Sequence, residues 1–268
     1  GSDTLSDRSG AALWYAVELS YVATATGPRN PSRVPGLQLD GQPVAAVLIA
    51  PNAAFGSQGR ALLNAGDYLE GENANNTLNR YATPAADQGN DQLLALRTGP
   101  FWTDMARIAL AEAARTLTDY RVACGEYPWA ADFGGPFTSV ASLQHGNLPL
   151  ASALPFDWGA PCPSGTAPAP VGWLSAHWSD QLYYRMCQSG EGSCLTTIDN
   201  GVPPMTGPAA SAVLLSPGPP LSGQVRPSSL EANYFEGQNI AVPDTLFSDW
   251  NLVDHDATYN DATLALTP

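Results

Sequence analysis

Two pairs of oppositely charged residues recur in the sequence at one spacing. Arg60 lies ten residues before Glu70, and Arg226 lies ten residues before Glu236. Each pair could belong to a duplicated binding site, or it could be a structural ion pair that pins the loop after a strand. We favour the structural ion pair, because duplication preserves a scaffold more readily than a ligand site.

Amide side chains accompany both charged pairs. An amide offers a carbonyl acceptor and an NH2 donor, so it can satisfy backbone groups on two sides of an irregular loop. We therefore predict that four amides pin the two loops, namely Gln58, Asn73, Gln224 and Asn239.

No catalytic constellation stands out in the sequence. The three histidines lie apart from any Gly-x-Ser-x-Gly nucleophile elbow, and there is no glycine-rich phosphate loop. Glu70 and Glu236 could act together as glycosidase carboxylates, but equivalent positions of two copies would meet only at a pseudo-twofold interface. We therefore expect a protein without enzymatic activity.

An acidic stretch near the C-terminal end resembles a calcium-binding loop. Asp254, Asp256 and Asp261 supply the hard oxygen ligands that calcium prefers. The sixth position of this loop is Tyr259, where an EF-hand requires Gly, and the twelfth position carries no Glu. We expect a solvated acidic loop and no cofactor, with calcium as the open alternative.

The four cysteines are expected to form disulfides. Cys187 and Cys194 bracket a flexible hexapeptide and are the first candidate pair, which leaves Cys124 and Cys162 as the second. A zinc site is the competing interpretation, but no histidine clusters with the cysteines. An even number of cysteines in a loop-rich chain is typical of an oxidising, extracytoplasmic compartment.

The net charge of the chain limits the classes of partner that it can bind. The net charge is −14, and all 11 basic residues are Arg. An acidic surface repels phosphate backbones and anionic lipid, so general nucleic-acid binding is disfavoured, although Arg29 and Arg33 could form a local basic patch. No window reaches the roughly 18 apolar residues of a membrane span. We expect membrane contact only through an N-terminal anchor that preceded Gly1.

The chain contains an internal repeat. The motif Tyr-Leu-Glu-Gly-Glu-Asn at 68–73 returns as Tyr-Phe-Glu-Gly-Gln-Asn at 234–239, and Ala-Val-Leu at 46–48 returns at 212–214. Asn-Asp at 90–91 likewise returns at 260–261. Because the order and spacing are shared, we predict two homologous copies, over about 11–98 and 174–268.

The elements that must position these residues are mostly strands. Asp40 and Gly41 mark a hairpin turn before a central strand at 44–50. One long helix is predicted over 103–122, with an apolar face formed by Met105, Ile108, Ala109, Ala113, Leu117 and Tyr120. We therefore predict an α+β, mostly β fold: a first β module at 1–100 without its own helix, then helix, Gly/Pro-rich loop and second β module at 101–268.

These motifs, in this order, resemble the type IV pilin-like family, which includes the pseudopilins of type II secretion. The resemblance lies in Trp-Tyr-Ala-Val at 14–17, the Asp-Gly hairpin at 37–41, the Ala-Val-Leu-Ile-Ala-Pro strand at 46–51, and the repeated Tyr-x-Glu-Gly-x-Asn motif. It implies a non-enzymatic, extracytoplasmic bacterial subunit that binds other pilin or pseudopilin subunits through a missing N-terminal hydrophobic helix. The implied role is filament assembly, a tip position or adhesion.

Three other functions stay open at the level of sequence. The first is a secreted binding module, such as an adhesin or a lectin. The others are a DNA-uptake pilin, which would use a local arginine patch, and a secreted hydrolase.

Overall fold

The computed structural model describes residues 5–22, 27–61, 64–75, 78–150, 172–187, 194–199, 209–240, 246–249 and 260–266. The chain divides into two compact units. The first unit comprises Gly1–Thr26 and Val34–Phe101, and the second comprises Gly27–Arg33 and Trp102–Pro268. The division after Phe101 lies one residue from the predicted module boundary. The predicted α+β, mostly β class is confirmed.

In its described residues, the first unit contains five strands, with β3 as the central one. They are β1 (Trp14–Val17), β2 (Gln38–Leu39), β3 (Gln42–Ala50), β4 (Arg80–Tyr81) and β5 (Gln92–Arg97). β3 pairs antiparallel with β1, β2 and β5, while β4 pairs parallel with β2. Asp40 and Gly41 form the predicted turn between β2 and β3, both with φ in the left-handed region.

The second unit repeats much of this pairing but divides its strands between two sheets. Its strands are β6 (His145–Asn147), β7 (Tyr183–Met186), β8 (Leu195–Asp199), β9 (Ala209–Ala210), β10 (Ala212–Ser216), β11 (Leu246–Asp249) and β12 (Ala262–Leu266). β10 lies between antiparallel β7 and β12, as β3 lies between β1 and β5. β11 pairs parallel with β8, as β4 does with β2, and β6 extends the second sheet beside β7.

The long helix α1 spans Thr98–Cys124, so it begins earlier and ends slightly later than predicted. Pro100 is tolerated because the first turn of a helix needs no backbone donor. Gly125 ends the helix with a φ of 86°, and its N–H donates to the carbonyl of Arg121 at 2.8 Å. A second, short helix α2 covers Gly172–His177.

The buried face of α1 is largely the predicted one. Ala109, Ala113, Leu117 and Tyr120 are buried as predicted, whereas Ile108 is 54% exposed. Apolar spacing fits more than one stripe of this alanine-rich helix, so the spacing alone could not exclude Ile108. Packing selects the stripe with small residues, because it allows the helix backbone to approach a sheet closely.

The sheet of the second unit is covered on both faces. On one face Tyr183, Val213 and Leu215 pack with Tyr234 and Phe235. On the other face, Tyr184 and Leu214 are buried as well.

The C-terminal end of α1 lies near this second face. Tyr120 of α1 is near enough to contribute to the raised pKa of Tyr184, although burial of the phenol is the main cause. Arg121 Nη1 donates to Ser211 Oγ at 3.4 Å.

The sheet of the first unit has a core on one face. Its buried residues are Leu37, Leu39, Val44, Val47, Ile49 and Leu69. The opposite face leaves Tyr15, Leu94 and Leu96 exposed.

Among the helices that the structure describes, none combines the length and the hydropathy needed to cross a membrane.

Candidate functional site

The loop that carries Glu70 is shaped by two single-turn 3-10 helices. The first, Ala65–Asp67, is capped by the Asn64 side chain, which accepts from the backbone of Asp67. The second, Gly71–Ala74, begins at Gly71 with a φ of 53°, which favours glycine. The loop therefore folds back and brings Glu70 to the start of β5.

Glu70 and Asp91 hold each other through backbone donors. Glu70 Oε2 accepts from the N–H groups of Asn90 and Asp91 at 3.2 and 3.1 Å. In return, Asp91 Oδ2 accepts from the Glu70 N–H at 3.1 Å and from Asn73 Nδ2 at 3.0 Å. Gln58 Nε2 donates to Glu70 Oε1 at 2.8 Å. We call this arrangement of Glu70, Asp91, Gln58 and Asn73 the first carboxyl lock.

A second carboxyl lock, formed by Glu236, Asp261, Gln224 and Asn239, repeats four of these five bonds. The Glu236 N–H and Asn239 Nδ2 both donate to Asp261 Oδ2 at 3.0 Å. Glu236 Oε2 accepts from the N–H of Asn260 at 3.1 Å, and Gln224 Nε2 donates to Oε1 at 2.6 Å. The NH2 group of each of the four amides therefore donates a hydrogen bond to a carboxylate of its loop.

The predicted direct ion pairs are wrong. Arg60 Nη2 lies 3.5 Å from Gln58 Oε1, and Arg226 Nη2 lies 2.7 Å from Gln224 Oε1. Among the described residues, the ion pairs do not include Arg60–Glu70 or Arg226–Glu236. The glutamine stands between arginine and glutamate, because its amide can accept from one and donate to the other.

Arg226 is a loop clamp rather than an ion-pair partner. It donates to the carbonyls of Gly218, Asn233 and Tyr234 at 2.6, 2.6 and 2.9 Å, and its guanidinium stacks 4.9 Å from the Tyr234 ring centre. Burial lowers its pKa to about 10, so it remains charged at neutral pH. Five donors in one plane let arginine gather several carbonyls at once.

Arg60 makes a looser version of the same arrangement. Its Nη2 lies 3.4 Å from the Pro51 carbonyl, and its guanidinium lies 5.2 Å from the Tyr68 ring centre. The first loop is therefore held less tightly by its arginine than the second.

The aspartates of both locks have raised pKa values. Burial, followed by the nearby Glu70 carboxylate, raises the pKa of Asp91 to about 6. Burial and the Glu236 carboxylate raise the pKa of Asp261 well above its ordinary value. Asp91 Oδ1 and Asp261 Oδ1 are buried and receive no hydrogen bond within the described structure. These oxygens are the places where a proton shared with the neighbouring glutamate can sit.

Two carboxyl groups that share a proton can in principle catalyse hydrolysis. Here, however, the oxygens of Glu70 and Glu236 accept from protein donors, and Asp91 and Asp261 are 4% and 0% exposed. A substrate would have to displace these internal bonds. The geometry therefore favours holding the loop over reacting with a ligand. The repeated Asn-Asp at 90–91 and 260–261 was the sequence signal that could have assigned both aspartates to the locks.

The disulfide between Cys187 and Cys194 is present as predicted, with a Cα–Cα distance of 5.7 Å. Cys124, at the end of α1, is not a free thiol. Its predicted partner Cys162 lies outside the described residues. A disulfide of this kind indicates an oxidising, extracytoplasmic environment.

Asp261 does not support the alternative prediction of a calcium site. This residue is buried and accepts from the backbone of Glu236 and from Asn239, whereas Asp254 and Asp256 lie outside the described residues. Within the part of the chain that the structure describes, no three potential metal ligands cluster.

Comparison with known proteins finds no match to a protein-family model, a curated protein or a solved structure. Function must therefore be argued from the geometry of the two units and from the motifs that they share.

Proposed function

We propose that this chain is a non-enzymatic, extracytoplasmic subunit of a type IV pilus or of a type II secretion-like pseudopilus. The observation that carries the proposal is the pair of carboxyl locks. Each uses the repeated Tyr-x-Glu-Gly-x-Asn motif to fasten a loop to the last strand of a sheet. A role in holding the scaffold explains why the motif recurs in both units.

We infer that the two units arose by duplication. Trp14 pairs with Ile49 in the first sheet, and Tyr183 pairs with Leu215 at the corresponding position of the second. The parallel pairing of β4 with β2 and of β11 with β8 supports the same inference. Two unrelated units would rarely share both the strand pairing and the hydrogen bonds of the locks.

The role outside the cytoplasm is supported by the Cys187–Cys194 disulfide. The role in a filament rests on the resemblance of the motifs to pilin-like proteins and on the packing of one long helix against a sheet. No feature of the locks requires a ligand.

The natural reading frame tests this proposal directly. We expect a short basic leader followed by an apolar stretch with Glu at its fifth residue, directly upstream of the first unit. We also expect deletion of the gene to reduce surface filaments or secretion, with recovery on complementation. A conventional cleaved signal peptide, or turnover of ester or glycoside panels by the purified chain, would contradict the proposal.

A further inference from the structure

The helix α1 exposes a line of side chains on the side away from its buried stripe. The exposed residues of this line follow one another at alternating intervals of four and three, and they are Asp104, Ile108, Ala111, Arg115, Thr118 and Val122. Because a helix returns to the same side every three to four residues, these side chains lie in one row along α1. We call this row the outer seam.

The outer seam is partly apolar although it faces solvent. Ile108 is 54% exposed and Val122 is 83% exposed, and Ala111 between them is exposed as well. Alternation of four and three residues is the spacing of the contact positions in a pair of coiled helices. A helix that packs on one side only is instead typically polar on the other. The pattern therefore favours a second helix as the partner of the outer seam.

Two residues of the outer seam carry opposite charges. Arg115 forms ion pairs with Glu112 and with Asp119, whose Oδ2 lies 3.1 Å from Arg115 Nη1. Asp104 lies in a looser pair, with its Oδ1 3.7 Å from Arg107 Nη1. The side chains of Arg115 and Asp104 are 56% and 73% exposed. Exposed pairs of this kind hold a side chain only weakly, so both charges can also engage a partner.

The outer seam is complementary to itself when a second helix runs antiparallel. If Ile108 faces Ala111 of the second copy, then Arg115 faces Asp104 of that copy, because both pairs are centred on the same point of α1. A twofold axis through this point repeats each contact. A parallel arrangement in register would instead place Arg115 against Arg115 and Asp104 against Asp104. Electrostatics therefore selects the antiparallel arrangement.

We propose that two copies of this chain associate through the outer seams of their α1 helices, packed antiparallel, with an Arg115–Asp104 pair on either side of the Ile108–Ala111 contacts. This inference goes beyond the proposed function, since it uses α1 and needs no N-terminal segment. The seam is about 27 Å long, so the contact is small. We therefore expect a weak dimer, with a dissociation constant of roughly 10–100 μM.

Sedimentation equilibrium of the intact, oxidised chain tests the dimer. At about 0.15 M salt, where the repulsion between two acidic chains is screened, we expect monomer at the lowest concentrations and dimer at the highest. Ile108→Glu should weaken association roughly tenfold or more, because it places a charge in the centre of the contact.

Charge reversal tests the arrangement. Arg115→Asp and Asp104→Arg should each weaken association roughly tenfold, because each places like charges opposite one another. The two variants change the net charge in opposite directions, so a common effect cannot come from overall repulsion. The double variant restores the pair with reversed signs and should recover most of the wild-type affinity. Arg80→Asp, at an exposed position of β4, is the matched control for net charge.

Thermal melts of all variants check folding, and Arg115→Gln gives a milder second variant if Arg115→Asp is unstable. A chain that stays monomeric over the whole concentration range would overturn the inference. Equal weakening by Arg80→Asp, or a double variant no tighter than the single ones, would also overturn it. A dimer that none of the α1 variants affects would assign self-association to another surface and reject the outer seam.

Discussion

At the scale of single residues, the aspartates of the carboxyl locks couple folding to pH. The pKa of Asp91 is raised from its ordinary value of 3.8 to about 6 in the folded protein. The stability that its proton contributes is therefore fully present below about pH 3.8 and is lost as the pH rises through about 6. Asp261 acts in the same direction, because burial also raises its pKa well above the ordinary value.

We predict that Asp91→Asn reduces this pH dependence. An asparagine can accept from Glu70 and Asn73 while its NH2 group donates to the Glu70 carboxylate, so it mimics the protonated acid. We expect the wild-type free energy of unfolding to rise by about 1–2 kcal/mol more than that of the variant between pH 7 and pH 5. Urea unfolding at both pH values measures this difference.

Asp87→Asn is the matched control for that experiment, because Asp87 is exposed in the same unit. Protonation of other carboxyl groups changes the wild type, the variant and the control alike. Equal pH dependence in Asp91→Asn and in the wild type would show that Asp91 is ionised throughout, contrary to the prediction.

The glutamates should differ in their importance for stability. Glu236 is 8% exposed and Glu70 is only half-buried, so removal of Glu236 leaves more deeply buried donors without a partner. We predict that Glu236→Ala lowers the free energy of unfolding by about 3–5 kcal/mol and Glu70→Ala by less. Chemical denaturation of both variants, with Glu72→Ala as an exposed control, tests the order. A larger effect at Glu70 would mean that burial does not govern the locks.

At the scale of elements, the disulfide joins β7 to β8. Cys187 follows the last residue of β7, and Cys194 precedes the first residue of β8. The bond thus closes the connection between the two sheets to which these strands belong.

We predict that the non-reduced, denatured protein contains no free thiol. Closing a loop of this size should stabilise the fold by about 2–3 kcal/mol in the chain-entropy model. Replacing both Cys187 and Cys194 by Ser should remove this stabilisation without loss of the sheet signal in circular dichroism. Thiol titration that finds two or more free cysteines would reject the two-disulfide arrangement.

At the scale of the whole molecule, the net charge of −14 governs encounters with polyanions. We predict no measurable binding to duplex DNA at about 0.15 M salt, where screening leaves only close contacts. A gel-shift titration checks this expectation. If binding is observed, the variants Arg29→Ala and Arg33→Ala test whether these two arginines form the binding patch. Salt-sensitive, low-micromolar affinity would point instead to DNA uptake.

The amino-acid sequence alone determined the class of fold and the places of the repeated motifs. Periodicity predicted the long helix, and Asp-Gly predicted the turn between β2 and β3, because both are governed by local backbone preferences. The sequence also identified Gln58, Glu70 and Asn73 as residues of one loop, since they recur together in the second unit. The repeated Asn-Asp at 90–91 marked Asp91 as part of the repeat, but its contacts with Glu70 and Asn73 join distant positions of the chain, so only the tertiary structure shows which donors it accepts from.

Only the tertiary structure decided which atoms meet and which surfaces remain open. Opposite charges suggested that Arg60 pairs with Glu70. In the folded loop, however, Gln58 lies between the two side chains, and the Glu70 carboxylate accepts hydrogen bonds from donors other than Arg60. The two units also have similar strand sequences, yet Tyr184 is buried whereas Tyr15, at the corresponding position, is exposed. Burial depends on what packs above a residue, which is a property of the assembled chain. A strand pattern defines a face but does not supply its cover.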